Sequence, residues 1–338
     1  MEKIALNRRH VLAGLAAVAL WVMASGPAGA QQKLKIRLVM PTTVTTFLLP
    51  YVVPKDQGWY QKLGLEVEEI FVNGDSTALR SVLSGGADLS IVGPPTVFQA
   101  VIEGAKIKYI GSTQPIVDYH IIGAKSVGNS LKDLAGKTFA SAGPSDLTTE
   151  VPRLVLKKNG VATEGIKFLQ VGGHPARLQA LEAGKVQATM INTLTSLKGQ
   201  QGGKINVLKR VAEDFPSLGY VMLVATDKDL ADPKKRAAFE IFVKGLIYGS
   251  RFIMDNPDEA SAILNKRVPD MGLDLIRPVI RELNSMKVWG HNGGVDAAVV
   301  KFTSDVSVEW GMIKQGVKAE AIIDDSLVKK ALAELGRR

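Results

Sequence analysis

The side chains best suited to covalent or metal chemistry are absent or scattered. The sequence holds no cysteine, which removes thiol nucleophiles, disulfides, thiolate ligands and a lipid-bearing cysteine. His120, His174 and His291 show no metal-ligand spacing with one another or with carboxylates. No Gly-x-Ser-x-Gly elbow is present. Gly136-Lys137-Thr138 has the ending of a phosphate loop, but the glycine required five positions earlier is Leu131, so the segment reads as a turn into a strand. Such a chain is expected to bind without catalysing, with no metal and no cofactor.

The chemistry that remains is hydrogen bonding from polar turns. Thr42, Thr43, Thr45 and Thr46 crowd residues 41–46 and offer hydroxyls without fixed charge. Asn73-Gly74-Asp75-Ser76-Thr77 leads into a helix start, where Gly74 permits close backbone approach and free amides hold an anion or a carbonyl oxygen. Gly93-Pro94-Pro95, the stretch from Ser141 to Ser145, and Gly172-Gly173-His174 are built alike. Any one of these turns serves equally well as a helix cap. Several on one edge of two similar units predict a cleft, because ligands of open α/β sheets bind at the carboxyl ends of the strands.

Those turns need strands before them and helices after them. Residues 34–40, 65–72, 89–92 and 107–112 read as strands, with helices over 47–62, 76–84 and 95–103 and glycine stops at Gly64 and Gly85. The pattern restarts with strands at 120–125, 138–142, 167–171 and 188–191 and helices at 147–159 and 175–182. Strands alternating with short helices indicate βαβ units and a mostly parallel sheet. The halves also match in order: helix, Gly85, Asp88 and an apolar strand in the first, helix, Gly184, Gln187 and an apolar strand in the second. A last strand is expected at 220–225. Beyond Pro233 the chain turns helical, over 236–254, 257–265, 273–284 and 296–315, as a wrap on the first lobe.

Residues 1–30 read as an export signal. Arg8 and Arg9 precede a small and apolar run over 11–23, and Ala28-Gly29-Ala30 supplies a cleavage site. Asn7-Arg8-Arg9-His10 is of the twin-arginine kind. The formal charge of +9 is spread along the chain. That argues against nucleic acid, which selects a clustered basic face, and leaves a mild preference for anions. About 300 residues beyond the signal are expected to form two lobes.

Asp56-Gln57-Gly58-Trp59-Tyr60 followed by Leu63-Gly64-Leu65-Glu66-Val67 resembles the opening of the sulfonate, taurine, nitrate and thiamine-precursor binding proteins of ABC transporters. Ala78-Leu79, Gly85, Asp88 and Gly93-Pro94-Pro95 resemble their first-lobe signature, and Leu131 to Lys137 their entry to the second lobe. The resemblance implies a type II periplasmic binding fold. Each of its two α/β lobes is a mixed, mostly parallel sheet flanked by helices, and two crossing strands form the hinge. Lobe 1 would take residues 32–115 and 222–338, and lobe 2 residues 116–221. Carried over by position, the ligand would meet Thr43, Thr45, Gly74, Ser76, Thr77 and Pro94 on one side. Ser141, Ser145, His174 and Asn192 would face it, with Tyr119 and Tyr220 near the hinge. The implied role is a monomeric periplasmic receptor that captures a small sulfonate, nitrate or carboxylate and hands it to an ABC permease. A neutral heterocycle such as a thiamine pyrimidine precursor, and a sensing module for a membrane receptor, remain open. Two departures bear on ligand class: Gln187 stands where the second lobe often has Asp, and the first loop is threonine-rich without an aromatic residue.

Overall fold

The computed structural model describes residues 34–144, 146–309 and 311–338; the export signal expected over 1–30 lies outside them. Among the described residues ten strands form two sheets. The first contains β1 (Leu34–Met40), β2 (Leu65–Phe71), β3 (Leu89–Val92), β4 (Ile107–Ile116) and β10 (Gly219–Thr226). The second contains β5 (Tyr119–Ala124), β6 (Thr138–Ser141), β7 (Lys167–Gln170), β8 (Ala188–Asn192) and β9 (Ile205–Arg210).

The orders are β2-β1-β3-β10-β4 and β7-β6-β8-β5-β9. In the first sheet only β10 runs against its neighbours β3 and β4. In the second, β5 alone opposes β8 and β9. The remaining pairs are parallel. Each reversed strand is the one that has just arrived from the other lobe, β5 after β4 and β10 after β9. The chain therefore passes between the two sheets twice, at residues 117–118 and 211–218. β3 and β8 are buried along their whole length, which suits short apolar strands covered on both faces.

The helix expected over 47–62 is divided. Thr46–Leu48 is a 3₁₀ turn, Leu49–Asp56 is α-helical, and Trp59–Lys62 is a separate turn because Gly58 adopts φ +68°. β9 and the helix Thr193–Gln201 have no counterpart in the sequence reading. The tail opens with the 23-residue helix Pro233–Asp255, which crosses Leu49–Asp56 so closely that a Cβ on Gly249 would collide with the Pro50 carbonyl. A helix over Leu273–Ser285 follows, and Ser326–Leu335 closes the chain. Among the described residues no helix is long and apolar enough to cross a membrane.

Candidate functional site: the cleft between the lobes

Five helices start at the carboxyl ends of parallel strands and converge on the cleft: α1 (Asp75–Leu83), α2 (Pro94–Ile102), α3 (Leu147–Lys158), α4 (His174–Glu182) and α5 (Thr193–Gln201). Helix starts carry unpaired amides and the positive end of the macrodipole. The lobes approach directly. Asp146, immediately before α3, caps no amide of its own helix. Its Oδ1 instead accepts the Asp75 amide of α1 at 3.0 Å. Glycine makes this approach possible, since a Cβ on Gly74 would lie 2.7 Å from Asp146 Oδ2, and one on Gly173 2.9 Å from Thr42 Oγ1. Asn192 Nδ2 donates to Thr45 Oγ1 across the same seam.

The cavity left between the lobes is about 30 Å³, room for about two waters. Gly74, Asp75, Phe47 and Tyr220 line it from lobe 1, and Tyr119, Asp146, His174 and Arg177 from lobe 2. Arg177 is its dominant charge. The side chain is 1% exposed. Nη1 donates to Gly172 O, and Nη2 to Met190 O at 3.2 Å and to His174 Nδ1 at 3.1 Å. All three partners are neutral, and Nε has none. Burial lowers the pKa of this guanidinium, while Tyr119, Tyr220, Asp146 and Asp75 favour its charged form.

His174 Nδ1 also accepts the Asn192 amide at 3.4 Å. That geometry assigns the neutral tautomer protonated on Nε2. Burial, then Arg177, holds its pKa well below the usual imidazole range. Two carboxyls share the cleft. Asp75 Oδ2 accepts the Gly93 amide at 2.9 Å, whereas Asp146 Oδ2 has no hydrogen-bond partner. Burial raises both above the ordinary carboxylate range, and the charge of Asp146 adds to the rise at Asp75. An aromatic wall completes the cavity. The Tyr119 and Tyr220 rings lie edge-on at 4.8 Å, and Phe47 meets Tyr220 at 5.4 Å.

Of the positions expected from sequence, Gly74, Tyr119, His174 and Tyr220 line this cavity. Thr45 and Asn192 lie at the seam, but their polar atoms serve each other and the Thr195 amide. Ser76 Oγ donates to Pro144 O at 3.4 Å on the rim. Pro94 is buried at the second position after its strand, outside the cavity lining. Thr43 and Thr77 are exposed, turned to solvent by the loop and by the first turn of α1. Ser141 is buried, with Oγ directed to Leu169 O at 3.5 Å, since alternate strand positions face opposite ways and Ala142 takes the place at the cavity. Ser145 lies outside the described residues. Thr42, Asp75, Asp146 and Arg177 also line the cavity, beyond the ligand positions that the resemblance implies. Arg177 did leave a signal: a cation in the first turn of a helix opposes the macrodipole, so another interaction must hold it there. Among the described residues no three His, Asp or Glu side chains are grouped to hold a metal.

The fold is shared with solved binding proteins. The alkanesulfonate-binding protein SsuA of Xanthomonas axonopodis pv. citri, bound to MOPS, superposes with a TM-score of 0.70 at 16% identity, covering 87% of this chain and 100% of that one. The periplasmic nitrate-binding protein NrtA of Synechocystis PCC 6803 gives 0.75 at 15% identity, covering 90% of this chain and 89% of that one. A ligand-binding component of an ABC-type import system from Staphylococcus aureus gives 0.70 at 14%, covering 88% and 99%. No curated protein matches at the level of sequence. The model of one family, described as NMT1/THI5 like, matches residues 45–260, well over half of the chain, and the protein therefore belongs to the NMT1/THI5-like family.

Proposed function

We propose that the protein is the extracytoplasmic substrate-binding component of an ABC importer, which closes two lobes on a small anion and delivers it to a permease without chemical change. The observation that carries the anion is Arg177. A guanidinium 1% exposed with only neutral hydrogen-bond partners is an incomplete ion pair, because buried charges are normally compensated at contact distance. An anion at the start of α4 would complete it, with the Nε2 proton of His174 and nearby helix amides as further donors. The small cavity also suits a ligand of few atoms in a sulfonate, nitrate or carboxylate class. Phe47, Tyr119 and Tyr220 supply the one observation favouring a flat neutral heterocycle instead.

A thermal-shift panel on the chain from residue 31 onward tests this reading. It would contain short sulfonates, nitrate, short carboxylates and pyrimidines, on wild type and on Arg177→Met. At a hundredfold excess over Kd, binding adds about 2.7 kcal/mol to stability. An anion-specific rise in Tm that Arg177→Met abolishes is the expected result. A rise with pyrimidines alone, unchanged in Arg177→Met, would replace the anion with the heterocycle.

A further inference from the structure

The cleft leaves two complementary atoms without protein partners, the Arg177 Nε donor and the Asp146 Oδ2 acceptor. Both side chains line the same small cavity, and both residues are at least 98% buried, Arg177 at 1% and Asp146 at 2% exposure. Neither atom is free to reach another group, because each side chain is already fixed. Arg177 is held through both Nη atoms, and Asp146 through Oδ1 on the Asp75 amide. The hydroxyls of Thr42 and Tyr220, which line the same cavity, are also unpartnered.

An aprotic anion satisfies only half of this arrangement. Nitrate, or a simple sulfonate or carboxylate ion, gives Arg177 an acceptor. It then sets another lone pair against Asp146 Oδ2, and like charges without an intervening proton repel. A ligand with its own hydroxyl or ammonium donor satisfies both atoms. We infer that Asp146 is a specificity-determining residue, and that the cleft selects short acid anions carrying a hydrogen-bond donor over equally small aprotic anions. This rests on the anion reading above and narrows it. Sites built around a buried hydrogen bond reject analogues lacking the partner far more strongly than apolar pockets reject a missing methylene.

Titration calorimetry with matched ligands tests the inference: acetate against glycolate and glycine, and methanesulfonate against 2-hydroxyethanesulfonate. Glycolate and glycine separate the hydroxyl from the ammonium source. The wild type is expected to bind at least one donor-bearing member of a pair tenfold or more tightly than its aprotic partner. Asp146→Asn keeps an oxygen for the Asp75 amide and places an NH₂ where Oδ2 stood, so the preference should vanish or invert. Equal affinities within each pair, or a preference that survives Asp146→Asn, would overturn the inference while leaving the anion reading intact. Failure of every anion to bind, with pyrimidines binding, would remove both.

Discussion

Asp88, one residue before β3, and Gln187, one residue before β8, occupy matching places in the two lobes. Each donates its amide to the parallel neighbouring strand, Asp88 to Arg37 O of β1 and Gln187 to Thr138 O of β6, both at 2.9 Å. Each side chain accepts the return amide from that same residue, at 2.8 Å from Arg37 and 3.2 Å from Thr138. There the likeness ends. Asp88 also accepts from the Arg37 guanidinium at 2.9 and 3.1 Å and from Lys235 at 2.9 Å. Lys235 reaches on to Asp229 at 2.8 Å. Lobe 1 thus closes a complete charge network on its outside edge, tying the tail helix to the sheet. Lobe 2 uses a neutral amide at the matching edge and keeps its buried cation, Arg177, for the cleft. A finished network fixes structure; an unfinished one has affinity to spare for a ligand.

That contrast is open to attack from both sides. Asp88→Ala should have the largest effect on stability, a loss of about 2 kcal/mol from several charge-assisted hydrogen bonds, with ligand affinity unchanged by calorimetry. Its pH signature follows from sign. The hydrogen bonds from Arg37 and Lys235 outweigh burial and hold Asp88 at about 2, below its unfolded value of about 3.9. Its contribution is therefore present above about pH 4 and lost as pH falls toward 2. Denaturant titrations across that window should slope for wild type and flatten for Asp88→Asn. A similar slope in both would assign acid sensitivity elsewhere. Gln187→Asp should have the smallest effect, about 0.5 kcal/mol, because the new carboxylate keeps the Thr138 amide but gains no cation opposite it. A larger loss by thermal melting would mean that the two edges are less alike than their backbone hydrogen bonds.

The fold was legible in the sequence wherever pattern and punctuation agreed. The apolar run 89–92 lies between Asp88 and Gly93 and forms a buried strand over the same residues. Thr193–Gln201 was not legible, since its leucines and polar residues have no apolar stripe, and the Asn192 cap only becomes meaningful once Thr195 is seen to donate to it. Gly58 read as a residue inside a helix, although its positive φ ends one. At the site, the turns were legible but their side chains were not. Thr42 and Thr43 are chemically alike, and only the path of the loop turns one inward and the other to solvent. Asp146 looks like an ordinary helix cap until the opposite lobe comes within 3.0 Å of it.

The placement of β10 has a consequence for the order in which the molecule can assemble. All five strands of the second sheet lie within residues 119–210, a continuous stretch that can complete its pairing once made. The first sheet cannot, because the one strand β4 pairs with in it is β10, and that pairing joins Ile116 to Gly219 across the whole of lobe 2. Closing so long a loop is slow. Until it closes, β3 and β4 present unsatisfied strand edges, the exposed surface on which chains aggregate. Pulse-labelled hydrogen exchange during refolding should show β6 and β8 protected before β4. Simultaneous protection would mean that the lobes fold as one unit.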